Sequence, residues 1–159
     1  MLTPPLLKVT KLAKSYSVGG RRLQAFQDIN LEVARGECVA LVGESGCGKS
    51  SIAMTIMKLI DADEGKVAFL GHDLSSLSSK QLKQIRQEYG IVFQNPYSTL
   101  NPRLSVFKLL EEPLITHTKL NKLERIERVG EMLETVGLAS SMIKRMPHEL
   151  SGGQRQRLV

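Results

Sequence analysis

The chain has 159 residues, 42% hydrophobic and 24% charged, which is enough to bury a core and ordinary for a globular domain. Its 22 basic and 16 acidic residues leave a net charge of +6, yet the basic side chains are scattered and aromatics are only 4%. Charge alone therefore selects no partner among nucleic acid, membrane surface and nucleotide phosphate. No apolar run is long enough to cross a bilayer, and the start, Met1-Leu2-Thr3-Pro4-Pro5, lacks the pattern of a secretory signal. Cys38 and Cys47 have neither metal-site nor disulfide spacing, which fits a reducing cytosol.

Leu6 to Leu12 alternates apolar and polar residues, with Leu7, Val9 and Leu12 on one face, and predicts a half-buried strand ended by Tyr16. A turn at Gly19-Gly20-Arg21-Arg22 leads to Leu23-Gln24-Ala25-Phe26 as its hairpin partner. Ile29 to Val33 alternates again and breaks at Arg35-Gly36, so the N-terminal part reads as a small antiparallel sheet. Next comes the apolar run Cys38-Val39-Ala40-Leu41-Val42, predicted to be a buried strand.

That run enters Gly43-Glu44-Ser45-Gly46-Cys47-Gly48-Lys49-Ser50, and Ser51 to Leu59 then reads as a helix. Strand, G-x-x-x-x-G-K-[ST] and helix in succession form the context of a phosphate-binding P-loop. Glycine admits backbone conformations that a Cβ forbids, so successive N–H groups can turn inward as an anion nest. The following helix adds unpaired N–H groups and the positive end of its dipole. Lys49 supplies a mobile cation for the β- and γ-phosphates, and Ser50 a hydroxyl for Mg²⁺.

Beyond this helix, Asp61 to Gly65 predicts a turn and Lys66 to Leu70 a strand closed by Gly71-His72-Asp73. Ser78-x-x-Gln81 has the form of a capping box opening a helix to about Gln87. Gly90-Ile91-Val92-Phe93 predicts a short strand ended by Gln94-Asn95-Pro96. From there the chain turns helical. Pro96, Pro102 and Pro113 punctuate loops and a short helix around Val106 to Leu110. A helix over Asn121 to Val136 carries Leu123, Ile126, Val129, Met132, Leu133 and Val136 at helical spacing. Lys122, Glu124, Arg125, Glu127 and Arg128 make its solvated outer face, and Gly137 stops it. A short helical piece at Ser141 to Arg145 precedes Leu150-Ser151-Gly152-Gly153-Gln154-Arg155-Gln156-Arg157. His72, His117 and His148 have no nucleophile, carboxylate cluster or orienting partner at a readable spacing, so they carry no catalytic reading.

The P-loop at 43–50, Gln94 at a strand end and the Leu-Ser-Gly-Gly-Gln element at 150–154 stand in one order, and together they resemble the nucleotide-binding domain of ABC transporters. The resemblance covers the whole chain, and the last element is that family's signature. Phe93 to Arg103 resembles, more narrowly, the peptide and nickel importers of bacteria. The resemblance implies an α/β fold: a P-loop NTPase core of N-terminal antiparallel strands plus an incomplete parallel sheet, with a helical subdomain. Residues 1–94 would form the core and 95–159 the helical subdomain.

The resemblance also implies roles. Tyr16 stacks on adenine, a π-face contact. Gly43, Glu44, Ser45, Gly46, Cys47, Gly48, Lys49, Ser50 and Ser51 hold ATP phosphates. Gln94 corresponds to the family's Q-loop glutamine, which ligates Mg²⁺ or orients a water. Ser151, Gly152, Gly153 and Gln154 close over the nucleotide of a second domain packed head to tail, so ATP joins the halves and hydrolysis separates them. An ATPase of this kind works peripherally on the cytoplasmic side of the membrane. Its partners are transmembrane permease subunits and, indirectly, an extracytoplasmic substrate-binding protein; no nucleic acid is expected. The family's Walker B aspartate and catalytic glutamate cannot be assigned, since neither Asp61 nor Asp63 stands at a matching position. The expectation is a truncated chain that by itself turns ATP over barely or not at all. A non-catalytic remnant and a soluble ABC-type ATPase acting on nucleic acid are the alternatives.

Overall fold

The computed structural model describes residues 4–95 and 99–159. It divides into two compact units, Met1–Arg86 and Gln87–Val159. In the first, β1 (Leu7–Val18) and β2 (Arg21–Val33) form a long hairpin, followed by α1 (Lys49–Ile56), β3 (Glu64–Phe69), β4 (His72–Asp73) and α2 (Ser79–Ile85). The sheet order is β2-β1-β3-β4, and every pairing is antiparallel. Val9 of β1 lies between Leu31 and Val67 and is buried, as are Leu12, Ala13, Phe26 and Phe69.

Two consecutive buried residues, Leu12 and Ala13, would break simple alternation, and the strand accommodates them with an irregular register between Val9 and Leu12. Asn30 Oδ1 accepts from the Lys11 N–H at 2.9 Å across that bulge. The hairpin is longer than its sequence pattern predicts. Tyr16 does not end β1, which continues to Val18, and β2 runs unbroken from Arg21 to Val33 through both predicted pieces.

The expected strands at Cys38–Val42 and Gly90–Phe93 are not formed, and the sheet among the described residues has no parallel pair. Cys38 is exposed, as are Val39, Leu41, Val42, Val92 and Phe93. The reason is one of partners. A strand buried on both faces needs hydrogen-bonded neighbours for its backbone, and no described strand pairs with either run.

The second unit is helical: α3 (Val106–His117), α4 (Lys122–Thr135), short 3₁₀ turns at Ser140–Lys144 and Pro147–Glu149, and α5 (Gly152–Leu158). Its core is Val106, Val129, Leu133, Leu138 and Leu150, with Phe107, Leu110 and Met142 packed around it. α4 starts on an Asn121 cap, whose Oδ1 accepts from the N–H groups of Leu123 and Glu124 while Glu124 reaches back to the Asn121 N–H.

Two local expectations fail here. Pro113 does not interrupt α3, which continues through it to His117. Arg125 is not a solvated residue of α4. Its Nε donates to Glu111 Oε1 at 3.0 Å and its side chain is 19% exposed, while Glu111, in the preceding helix, is 3% exposed. Leu123 is exposed despite its place in the apolar pattern. Pro96-Tyr97-Ser98 of the predicted proline-punctuated loop lie outside the described residues.

Candidate phosphate-binding site

Residues 43–48 form a loop, exposed up to Cys47, that turns at Ser45-Gly46 and delivers the chain into α1. Gly46 and Gly48 have φ values of 83° and 96°, which side chains with a Cβ rarely adopt. At Gly48 there is a second constraint, because a Cβ would lie 2.5 Å from the carbonyl oxygen of Ala25 in β2. The loop therefore leans on the hairpin at a point where only glycine fits. A Cβ at Gly43 would lie 2.8 Å from Cys47 Sγ, so the loop also closes tightly on itself.

Gly48 is the N-cap of α1, and its carbonyl accepts from the Ile52 N–H at 2.9 Å. It has no side chain to cap the first-turn N–H groups, and no acidic residue occupies that turn. The donor set thus suits an external anion. Lys49 Nζ donates to the carbonyl oxygens of Gly43 at 2.7 Å and Glu44 at 2.6 Å, folding its ammonium back over the loop's mouth. Ser50 is exposed beside it and Ser51 is half-buried. Ile52 and Thr55 are buried, and Thr55 Oγ1 donates to the Ser51 carbonyl, which anchors the helix that presents the loop.

Tyr16 lies near the far end of β1 and is 37% exposed. Lys14 Nζ sits 5.7 Å from the centroid of its ring. The same ammonium is 2.9 Å from Asp63 Oδ1. Asp63 Oδ2 accepts from the Ser15 N–H at 2.8 Å, from Ser15 Oγ at 2.6 Å and from Arg22 at 3.5 Å. Ser15 Oγ, the Lys14 ammonium and the Ser15 N–H together hold the Asp63 carboxyl well below its ordinary value. No spacing in the sequence announces this cluster. Its only trace is an acid in the turn after α1, far along the chain from the basic strand it joins.

In the second unit, Gln94 is exposed on a bend. Ser151 caps α5: its Oγ accepts from the Gln154 N–H at 3.3 Å, and Gln154 Oε1 accepts from the Ser151 N–H at 2.9 Å. Gly152 and Gly153 form the first turn. Arg157, on the same helix, donates to the carbonyls of Val136 at 3.2 Å and Gly137 at 2.9 Å, tying α5 to the C-terminal end of α4. Sequence reading missed this tie, because an arginine in a last turn has no spacing that names its acceptor.

The ABC transporter family model matches residues 26–159. A putative peptide import ATP-binding protein of Brucella ovis is 39% identical over 158 residues, covering 99% of this chain and 50% of that protein. The oligopeptide transport ATP-binding protein OppF of Bacillus subtilis is 40% identical, covering 99% of this chain and 52% of its own length. The dipeptide transport ATP-binding protein DppF of Haemophilus influenzae is 40% identical, with 98% and 49% covered. The chain thus spans about half the length of the curated relatives it matches. Among solved structures, the dimeric ATP-binding cassette MJ0796 bound to ADP and Pi superposes with a TM-score of 0.81 at 32% identity, covering 96% of this chain and 66% of that one. With a glycine loop feeding a helix N-terminus, an α/β fold shared with such cassettes and a family match over most of its length, the chain belongs to the ABC transporter family.

Proposed function

We propose that the chain is the nucleotide-binding part of an importer's ATPase subunit, binding MgATP and, within its whole protein, coupling ATP hydrolysis to uptake of peptides. The observation that carries this reading is the Gly43–Ser50 loop, glycine-restricted and leading into an uncapped helix, in a chain about 40% identical along nearly its full length to proteins named for peptide import. Nickel, the other cargo of similar importers, has no such support among these relatives.

The loop N–H groups and the first turn of α1 bind the phosphates. Lys49 exchanges its two carbonyl acceptors for β- and γ-phosphate oxygens, and its reach from the loop's mouth suits that exchange. Among the described residues no group of three or more His, Cys, Asp or Glu side chains could hold a metal. The Ser50 hydroxyl suits a cation carried in on phosphate oxygens. Mg²⁺ bound there neutralises charge on the phosphates. Gln94 orients water, Tyr16 receives the adenine, and Ser151 to Gln154 meet the nucleotide of a second copy. Residues 1–94 act as the core and 95–159 as the helical subdomain.

A twofold pair of such domains would sit under permease subunits on the cytoplasmic face, fed by an external binding protein. No helix among the described residues is long and apolar enough to cross a membrane, which suits a peripheral subunit. The test is titration of MgATP into the chain and its Lys49→Ala variant. Saturable binding that the substitution weakens supports the reading, and equal behaviour of the two proteins refutes it. Co-purification of the whole protein with a peptide permease tests the importer assignment.

A further inference from the structure

The strand that carries Tyr16 is held by a carboxylate from elsewhere in the fold. Asp63 follows α1 and its own N–H donates to the Ala13 carbonyl at 2.9 Å, so it is bound to β1 through its backbone as well as its side chain. Its carboxylate accepts from Lys14, from the Ser15 N–H and hydroxyl, and from Arg22 of β2. Arg22 Nε donates in turn to Ser15 Oγ at 2.7 Å, closing the cluster. The register of β1 against β2 is irregular between Lys14 and Ser15. An irregularity of this kind re-aims the side chains beside it, and Tyr16 pairs with Leu23 just beyond it. Asp63 grips the two residues on either side of that irregularity, and Tyr16 is the next residue.

The second link is direct. The Lys14 ammonium that Asp63 holds lies over the Tyr16 ring, within cation–π range. Lys14 is 17% exposed in its side chain, so it is enclosed by this arrangement and not free to swing in solvent. A cation on one face of the ring leaves the opposite face for a stacking partner. We propose that Asp63 is the positioning residue of the base site: through Ser15 and Lys14 it sets the orientation of the Tyr16 ring and so the preference for a nucleotide carrying an adenine base over a bare triphosphate chain. This rests on the reading of Tyr16 as the adenine contact.

The test compares the full chain with Asp63→Ala, Tyr16→Ala and the double variant, titrating each with MgATP and with magnesium tripolyphosphate. The readout is the ratio of the two affinities, which a general loss of stability does not move. Asp63→Ala and Tyr16→Ala are each expected to lower the ratio about 3- to 10-fold, the range an aromatic contact contributes, and the double variant no further than Tyr16→Ala alone. If Tyr16→Ala lowers the ratio but Asp63→Ala does not, the positioning role is overturned while the Tyr16 reading stands. If neither moves it, or if Asp63→Ala alone does, both are overturned. Should Asp63→Ala fail to fold, Ser15→Ala removes one donor to the same carboxylate and keeps the backbone N–H. It is expected to lower the ratio in the same direction by a smaller factor, and an unchanged ratio there overturns the proposal.

Discussion

Gly48 and Ala25 approach so closely that a Cβ on the glycine would stand 2.5 Å from the alanine carbonyl oxygen. This contact joins the phosphate loop to the hairpin, and it falls where the backbone is also in the left-handed region, at φ 96°. Steric exclusion and backbone strain therefore act on the same atom. Gly48→Ala is expected to cost about 1–3 kcal/mol in stability and to displace the first turn of α1. Chemical denaturation with and without MgATP checks this: the variant should lose the stabilisation that nucleotide confers on the unmodified chain.

Lys49 makes its contacts from the mouth of the loop and not from the core. Lys49→Ala should leave the far-ultraviolet circular dichroism unchanged while weakening MgATP on the order of 10- to 100-fold, the worth of charge-assisted hydrogen bonds to phosphate. Calorimetric titration gives the answer directly.

Arg157 reaches from α5 to the carbonyls of Val136 and Gly137, the two residues that follow α4. A guanidinium at the C-terminal end of a helix also complements the helix dipole. Arg157→Ala is expected to destabilise the second unit by about 1 kcal/mol. Amide hydrogen exchange should rise at the C-terminal turn of α4 and stay unchanged in β1 and β2.

Glu111 is buried between Lys108 and Arg125. The Lys108 hydrogen bond, with that of Arg125, outweighs burial and keeps its carboxyl below the ordinary value of 4.5. A carboxyl depressed on folding stabilises the folded state fully above its unfolded value. That contribution is lost as pH falls from about 4.5 through the lower folded value. The second unit should therefore weaken below about pH 4.5, and Glu111→Gln should flatten this acid limb while lowering the denaturation midpoint at pH 7. An acid limb of unchanged slope in the variant would exclude Glu111 as its source.

The parts of the molecule legible in the sequence are those whose cause lies within a few residues. The Ser78–Gln81 cap is closed over three residues and forms as the spacing predicts. The glycine pattern at 43–48 likewise specifies a local backbone path, and Val129 and Leu133 face the core as helical periodicity requires. The runs at 38–42 and 90–93 were readable as apolar but not as paired, since a strand exists only through its neighbours.

By itself, then, the sequence determined the phosphate loop, the Ser78 cap and the family signature, because short-range hydrogen bonding and backbone sterics leave those segments little choice. Tertiary structure alone decided that Asp63 would hold Ser15, 48 positions away, and that Arg125 would turn inward to Glu111, 14 positions away. A charged side chain takes whichever partner the fold brings within hydrogen-bond reach, and that distance is not written in the spacing of either residue.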